Sequence, residues 1–332
     1  MTKKILIIRF SSFGDIIQNM AVLPYLKPEF EVHWLVKQEF AGLVSLSESV
    51  DQVISFSKKE GVIGLIKLAI RLRKSGYTHL YDAHSNIRSS IFTLFFKTFS
   101  DINYKIRSKE RLKRILLFTF KVNKFPKPFK GALSFIDPIR DWISDHGKEE
   151  RGDRWQFDEE VKSKVGSLLL ETGLKDFITI APSAAWEMKR WPIDHWKELC
   201  RDLSEYQIVV LGGPSDDFCQ DIADVAPDRV FNFAGKTNLT ESSYLVQQSK
   251  ACISADTGIL HVADTLHIPT LALIGPTAFG FPSASTSKVC EVDLACRPCT
   301  KDGSGKCTQD VYQKCMVDIK PQGVASLLRS IL

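Results

Sequence analysis

Long apolar runs are missing from this 332-residue sequence: none reaches bilayer-spanning length without a charge. Lys3-Lys4 leads straight into Ile5-Leu6-Ile7-Ile8, too short an apolar stretch for a signal peptide. The chain is therefore expected to be cytoplasmic. No Gly-x-Gly-x-x-Gly stands at an opening turn, which argues against a dinucleotide oxidoreductase. His-Glu-x-x-His and Asp-x-Asp are both absent, so a divalent-metal diphosphate site lacks its usual carboxylates. Gly303-Ser304-Gly305-Lys306-Cys307-Thr308 has only a superficial likeness to a phosphate-binding loop. Thr300 stands where the first glycine is required, and Cys307 has no hydroxyl for magnesium.

The composition is that of an ordinary soluble globular protein, 44% hydrophobic and 25% charged, and the length suits two domains with full cores. The net charge of +5 hides an asymmetry. Residues 1–165 hold 29 Lys and Arg against 19 Asp and Glu; the remainder holds 15 against 20. A basic half joined to a mildly acidic one suggests an anionic partner for the first half. The basic excess peaks in Tyr104–Lys130, with ten Lys or Arg against Glu110 alone, interleaved with Phe118, Phe120, Phe125 and Phe129. That segment reads either as a solvated basic helix and loop or as a surface that lies against anionic lipid or glycolipid. No recognised nucleic-acid fold accompanies it, so nucleic acid is not expected as a partner.

Short apolar runs alternate with amphipathic stretches along the whole chain, the pattern of parallel sheets covered on both faces. The fold class expected is α/β, with two Rossmann-like domains facing each other across a cleft. The expected boundaries are 1–160, 161–318, and a closing helix at 319–332 packing back on the first domain. Residues 148–160 are charged and mark the approach to a linker.

Three stretches carry chemistry. In Ala251–His261 a strand reaches Asp256, breaks at Thr257-Gly258 and enters a helix, placing a carboxylate, a hydroxyl and free backbone N–H groups together. Asp256 and Thr257 suit either a helix cap or an anion-binding turn. Between Pro182 and Pro192, Ser183, Ala184 and Ala185 permit close approach, and Lys189 and Arg190 are adjacent cations. They suit a nucleotide diphosphate or are a solvated surface pair. Ser11-Ser12-Phe13-Gly14-Asp15 forms the first strand-to-helix corner, where Asp15 serves as a cap or as a base. The eight cysteines are not a disulfide framework in a cytoplasmic chain of this length. Cys296, Cys299, Cys307 and Cys315 cluster, open to structural zinc, loose thiols or a conditional disulfide.

Four segments, IIRFSSFGDIIQNMAVLPYLK (7–27), DAHSNIRSS (82–90), APSAAWEMKRWPIDHW (181–196) and SADTGILHVAD with GPT (254–277), resemble glycosyltransferase family 9 in order and spacing. These are the ADP-heptose:lipopolysaccharide heptosyltransferases. The resemblance implies a GT-B fold, donor in the second domain, acceptor in the first, and inverting transfer that requires no metal or other cofactor. It implies Asp15 as catalytic base and Lys189 as the contact that offsets leaving-group charge. Ser183, Ala184, Ala185, Lys189, Arg190, Asp256, Thr257, Gly258 and His261 fall on the nucleotide-sugar side. Arg9, Ser12, Gly14, Asp82, His84, Asn86 and Arg88 fall on the acceptor side. The partners implied are an ADP-sugar and an anionic lipopolysaccharide precursor, met peripherally at the cytoplasmic face of the inner membrane. Ala278-Phe279-Gly280 departs from the Asp usual after Gly-Pro-Thr, which bears on the donor sugar. Rival readings are the same chemistry with another nucleotide sugar or acceptor, and a catalytically silent sugar-nucleotide-binding protein.

Overall fold

The computed structural model describes residues 3–144 and 149–332; Lys148, which opens the expected charged stretch, lies outside them. The chain forms two compact units, Met1–Arg111 with Ala132–Gln156, and Leu112–Gly131 with Phe157–Leu332.

In the first unit five parallel strands, β1 (Lys3–Ile8), β2 (Phe30–Lys37), β3 (Gln52–Phe56), β4 (His79–Asp82) and β5 (Asn103–Ile106), lie in the order β3-β2-β1-β4-β5. The longer helices among them are α1 (Phe13–Met20), α2 (Gly61–Arg73) and α3 (Ile87–Phe99). Alternation along a strand sends Leu6 and Ile8 to one face and Ile5 and Ile7 to the other. Leu6 and Ile8 meet Leu65, Leu68 and Leu72 of α2 and Phe92 and Phe96 of α3. All four strand residues are inaccessible to solvent, as expected of a sheet buried on both sides. The segment Ala132–Gln156 closes the unit, with Tyr81 donating its hydroxyl to the Phe135 carbonyl (2.7 Å) and Ser47 donating to Asp153 (2.9 Å).

Helix α4 (Arg111–Phe120) starts where the chain passes to the second unit. There six parallel strands, β6 (Phe177–Ala181), β7 (Gln207–Val210), β8 (Val230–Asn232), β9 (Cys252–Ala255), β10 (Thr270–Leu273) and β11 (Ser287–Cys290), lie in the order β11-β10-β9-β6-β7-β8. Its longer helices are α5 (Glu159–Thr172), α6 (Ile193–Asp202), α7 (Leu239–Gln248), α8 (Gly258–Thr265) and α9 (Pro321–Ile331). Local chemistry sets their ends. Asp158 accepts the Val161 N–H at the start of α5, Gly173 takes the left-handed conformation at its end, and Asn238 caps α7.

Two departures from expectation matter. The closing helix α9 belongs to the second unit: Val324, Ala325 and Leu328 enter the core of Ile178, Trp196 and Leu199, and Arg329 pairs with Glu205 at 2.6 Å. Leu112–Gly131 also belongs there, because Phe125 and Phe129 pack around Phe279 at centroid distances of 5.1 and 5.0 Å, with Phe118 at 6.0 Å. Aromatics interleaved with charges are thus largely committed to a protein contact.

In the first sheet the strand order reverses between β1 and β4, and in the second between β6 and β9. Crevices beyond the carboxyl ends of strands at such reversals are where open α/β sheets bind ligands.

Candidate active site

In the second unit three strand ends converge at that reversal. Asp256 follows β9, Lys189 comes from the loop after β6, and Thr277 follows β10. Lys189 Nζ lies 3.0 Å from Asp256 Oδ2, and Thr277 Oγ1 donates to the same oxygen at 2.7 Å. His261, one turn into α8, brings Nε2 to 3.8 Å from Oδ1. Burial pushes the Asp256 carboxyl upward, but Lys189, His261 and the Thr277 hydrogen bond outweigh it and hold the group below the usual carboxylate range. A buried anion with a lysine beside it forms a polarised cluster at the start of α8. Thr257 is the N-cap residue, but its hydroxyl meets Ser254 (3.1 Å) and makes no cap bond, which leaves the first N–H groups of α8 to another acceptor.

The remaining donor-side candidates divide. Ser183, Thr257 and Gly258 are partly exposed and Ala185 is exposed, whereas Ala184 is buried. Arg190 does not join Lys189: its Nε donates to the Ala184 carbonyl (2.9 Å) and its guanidinium covers Phe218 at 5.3 Å, so it braces the loop. Sequence reasoning missed two glycines. A Cβ on Gly280 would sit 2.0 Å from Asp256 Cγ, and one on Gly303 would sit 2.6 Å from Lys189 Cγ and Cδ. Only a bare backbone leaves these side chains in place. The signal for Gly280 lay in the departure after Gly-Pro-Thr, where Ala278-Phe279-Gly280 stands in this sequence.

In the first unit the reversal gathers Arg9 and Asp15 after β1, Asp82 at the end of β4 and His84 to Arg88 after it. Ser12 caps α1, Gly14 lies in its first turn, and Asp15 at the third helical position completes a reciprocal capping arrangement. Asp15 therefore makes the cap, and its geometry also suits a base. Its Oδ2 accepts the Ser12 hydroxyl (2.9 Å) and lies 2.5 Å from Arg9 Nη2, while its side chain is 46% exposed. Desolvation raises its pKa, but Arg9, Ser12 and Arg107 together hold it below the ordinary value. Arg9 is itself buried and anchored to the Ala83 carbonyl at 2.8 Å. Arg107, not singled out in the sequence, lies in the basic segment and stacks on Phe135 at 3.9 Å.

Asp82 is structural here: its carboxylate accepts the backbone N–H groups of His84 (3.0 Å) and Ser85 (2.8 Å) and is inaccessible. Asn86 caps α3 through the Ser89 N–H at 2.9 Å. Beside them a pocket of about 80 Å³ is lined by Lys37, Lys58, His84, Asn86 and Arg88. Burial, with the charges of Arg9 and Lys109, pushes His84 down to about 4, and its buried Nδ1 has no hydrogen-bond partner among the described residues. A neutral ring among three cations leaves a small, positively charged recess.

Zinc at the four C-terminal cysteines is not supported. Among the described residues no group of three or more His, Cys, Asp or Glu could hold a metal ion. Cys315 is buried in the core with Met316, and Cys299 and Cys307 point their thiols at the Pro276 and Val311 carbonyls, each at 3.9 Å. All eight cysteines are free. Among the described residues no helix is long and apolar enough to cross a membrane.

Over nearly its whole length the chain is similar to the crystal structure of a family 9 glycosyl transferase from Veillonella parvula (TM-score 0.75, 18% identity, 99% and 97% of the two chains). It is likewise similar to E. coli heptosyltransferase WaaC with ADP-2-deoxy-2-fluoro heptose (TM-score 0.63, 17% identity, 99% and 100%). These likenesses establish the GT-B fold. A curated relative, lipopolysaccharide heptosyltransferase 2 of Escherichia coli strain K12, is 24% identical across 99% of this chain and 98% of its own. The model of glycosyltransferase family 9 (heptosyltransferase) matches residues 65–312, and the chain belongs to that family.

Proposed function

We propose that this protein transfers a heptose from ADP-heptose to the inner core of a lipopolysaccharide precursor, with inversion and without a catalytic metal. It works at the cytoplasmic face of the inner membrane as a peripheral protein. The observation that carries the reading is the Lys189–Asp256–Thr277 cluster at the reversal of the second sheet, beside the start of α8. Family membership and the ADP-2-deoxy-2-fluoro heptose held by the similar WaaC structure support the donor.

The chemistry follows from the residues. Asp15, ionised at neutral pH, accepts the proton of an acceptor hydroxyl as that oxygen attacks the anomeric carbon from the face opposite the diphosphate. The new glycosidic C–O bond forms as the bond to the diphosphate oxygen breaks, and ADP leaves with the electron pair. Lys189 and the first N–H groups of α8 stabilise the departing charge, the role a magnesium ion would otherwise fill. Asp256 holds the lysine in place. On the acceptor side, the recess of Lys37, Lys58 and Arg88 suits a carboxylate or phosphate, and Arg9 holds the base ionised.

Two measurements test this. In a thermal-shift panel ADP and ADP-heptose should raise the melting temperature while UDP and GDP forms do not; a preference for UDP-sugars would remove the donor assignment. Replacing Asp15 by Asn should lower kcat at least about 100-fold, the lower end of a general base's contribution, with the ADP shift unchanged. Undiminished turnover in that variant would exclude Asp15 as the base.

A further inference from the structure

Helices α2 and α3 lie side by side over one face of the first sheet, and each buries only its inner side. Leu65, Leu68, Ala69 and Leu72 of α2 and Phe92 and Phe96 of α3 enter the shared core. Their outward sides are apolar as well. On α2, Ile63 and Ile70 are 71% and 51% exposed; on α3, Ile87 and Leu94 are 81% and 62% exposed. Ile66 and Phe99 add to the two stripes. The spacing 63, 66, 70 and 87, 94 keeps each set on one helix face, so these are stripes and not scattered residues. A helix on a sheet in water normally turns a polar face outward, and a contiguous apolar patch marks an interaction site.

Charge identifies the partner. Neither helix contains an acidic residue, while Lys67, Arg71, Arg73, Arg88 and Lys97 are distributed along them. Arg73 covers Phe99 at 6.0 Å and Lys97 covers Tyr104 at 5.0 Å, so cations stand at the edge of the apolar stripe. A groove of about 310 Å³ runs along α3 between Ile87, Leu94 and Arg111. A second copy of this chain would set these like charges against each other. An anionic bilayer satisfies both features at once, with apolar side chains at the acyl boundary and cations among the phosphates.

We infer that the α2–α3 face is the membrane-docking surface of this protein and that its partner is an anionic phospholipid bilayer. The inference rests on the lipid-linked acceptor proposed above. It places the contact on two helices of the first unit; in Tyr104–Lys130, Phe118, Phe125 and Phe129 are taken up around Phe279, while Leu112, Ile115 and Phe120 stay exposed.

The test is partition of the full-length protein onto vesicles of phosphatidylethanolamine with phosphatidylglycerol, against vesicles of phosphatidylcholine alone. Binding should require the anionic lipid and weaken as salt rises. The exposed triple substitution Ile63→Ser, Ile70→Ser and Leu94→Ser should lower partition at least about tenfold. A second variant, Lys67→Glu with Lys97→Glu, should lower it at least about fivefold for each cation lost. Both should keep the wild-type melting temperature and its ADP shift. Unchanged partition in the variants, or no preference for anionic vesicles, overturns the proposal. So does a wild-type dimer in sedimentation that the triple variant converts to monomer without any vesicle binding. Should the triple variant fail to fold, the lysine variant decides alone. Loss of the ADP shift in the wild type would count against the donor reading and leave the vesicle result standing.

Discussion

Asp256 shows how little room this site allows. Its carboxylate is buried, shared between Lys189 and Thr277, and covered by the Gly280 backbone where a Cβ would stand 2.0 Å from Cγ. Gly280→Ala cannot be accommodated by a rotamer change in a group held on three sides. The ADP-induced thermal shift of that variant should fall by more than half, and an unchanged shift would show that the loop moves freely. Asp15 yields a pH prediction. Arg9 at 2.5 Å helps hold its carboxyl below the ordinary 3.8, so the acid limb of kcat/KM should lie below the usual carboxylate range. Replacing Arg9 by Ala removes the attraction that favours the charged form, and the limb should move to higher pH. A limb that stays put would mean another group titrates there.

At the scale of elements, hydrophobic period and capping residues made most of the fold legible. The apolar runs at Lys3–Ile8, Phe177–Ala181 and Cys252–Ala255 are parallel strands, and Asn238 with Glu241 marks the start of α7 as a capping box does. Strands β5 and β11 carry little sequence signal: both are short edge strands, mostly not buried, so neither shows an apolar run. Asn103–Ile106 is mostly exposed and is hidden within a basic stretch. The placement of α9 was equally illegible: an amphipathic helix states that it will be buried, not against what. Leu328 is inaccessible in the core of the second unit. Leu328→Ala should therefore destabilise the protein by about 2–5 kcal/mol, read from denaturant unfolding, while a loss below about 1 kcal/mol would mean that α9 is loosely held.

For the whole molecule, each sheet reverses its strand order once, and each reversal carries a charged cluster. The Lys189–Asp256 cluster, proposed to hold the donor, and Asp15, proposed as the base, are built on separate units. Hydrogen exchange with ADP should therefore slow in residues 182–190 and 256–261 and stay unchanged in 9–15. Protection appearing at 9–15 instead would reverse the assignment of donor and acceptor sides.

By itself the sequence determined the α/β class, the strand-to-helix corners and the residue types at each corner, because these follow from local periodicity and turn chemistry. Only the tertiary structure decided which candidates meet. It set Lys189 on Asp256 and turned the adjacent Arg190 away to Ala184. It committed Asp82 to backbone N–H groups and left the cysteines without a metal group among the described residues. Those outcomes depend on distances between segments far apart in the chain, which packing sets and local sequence does not encode.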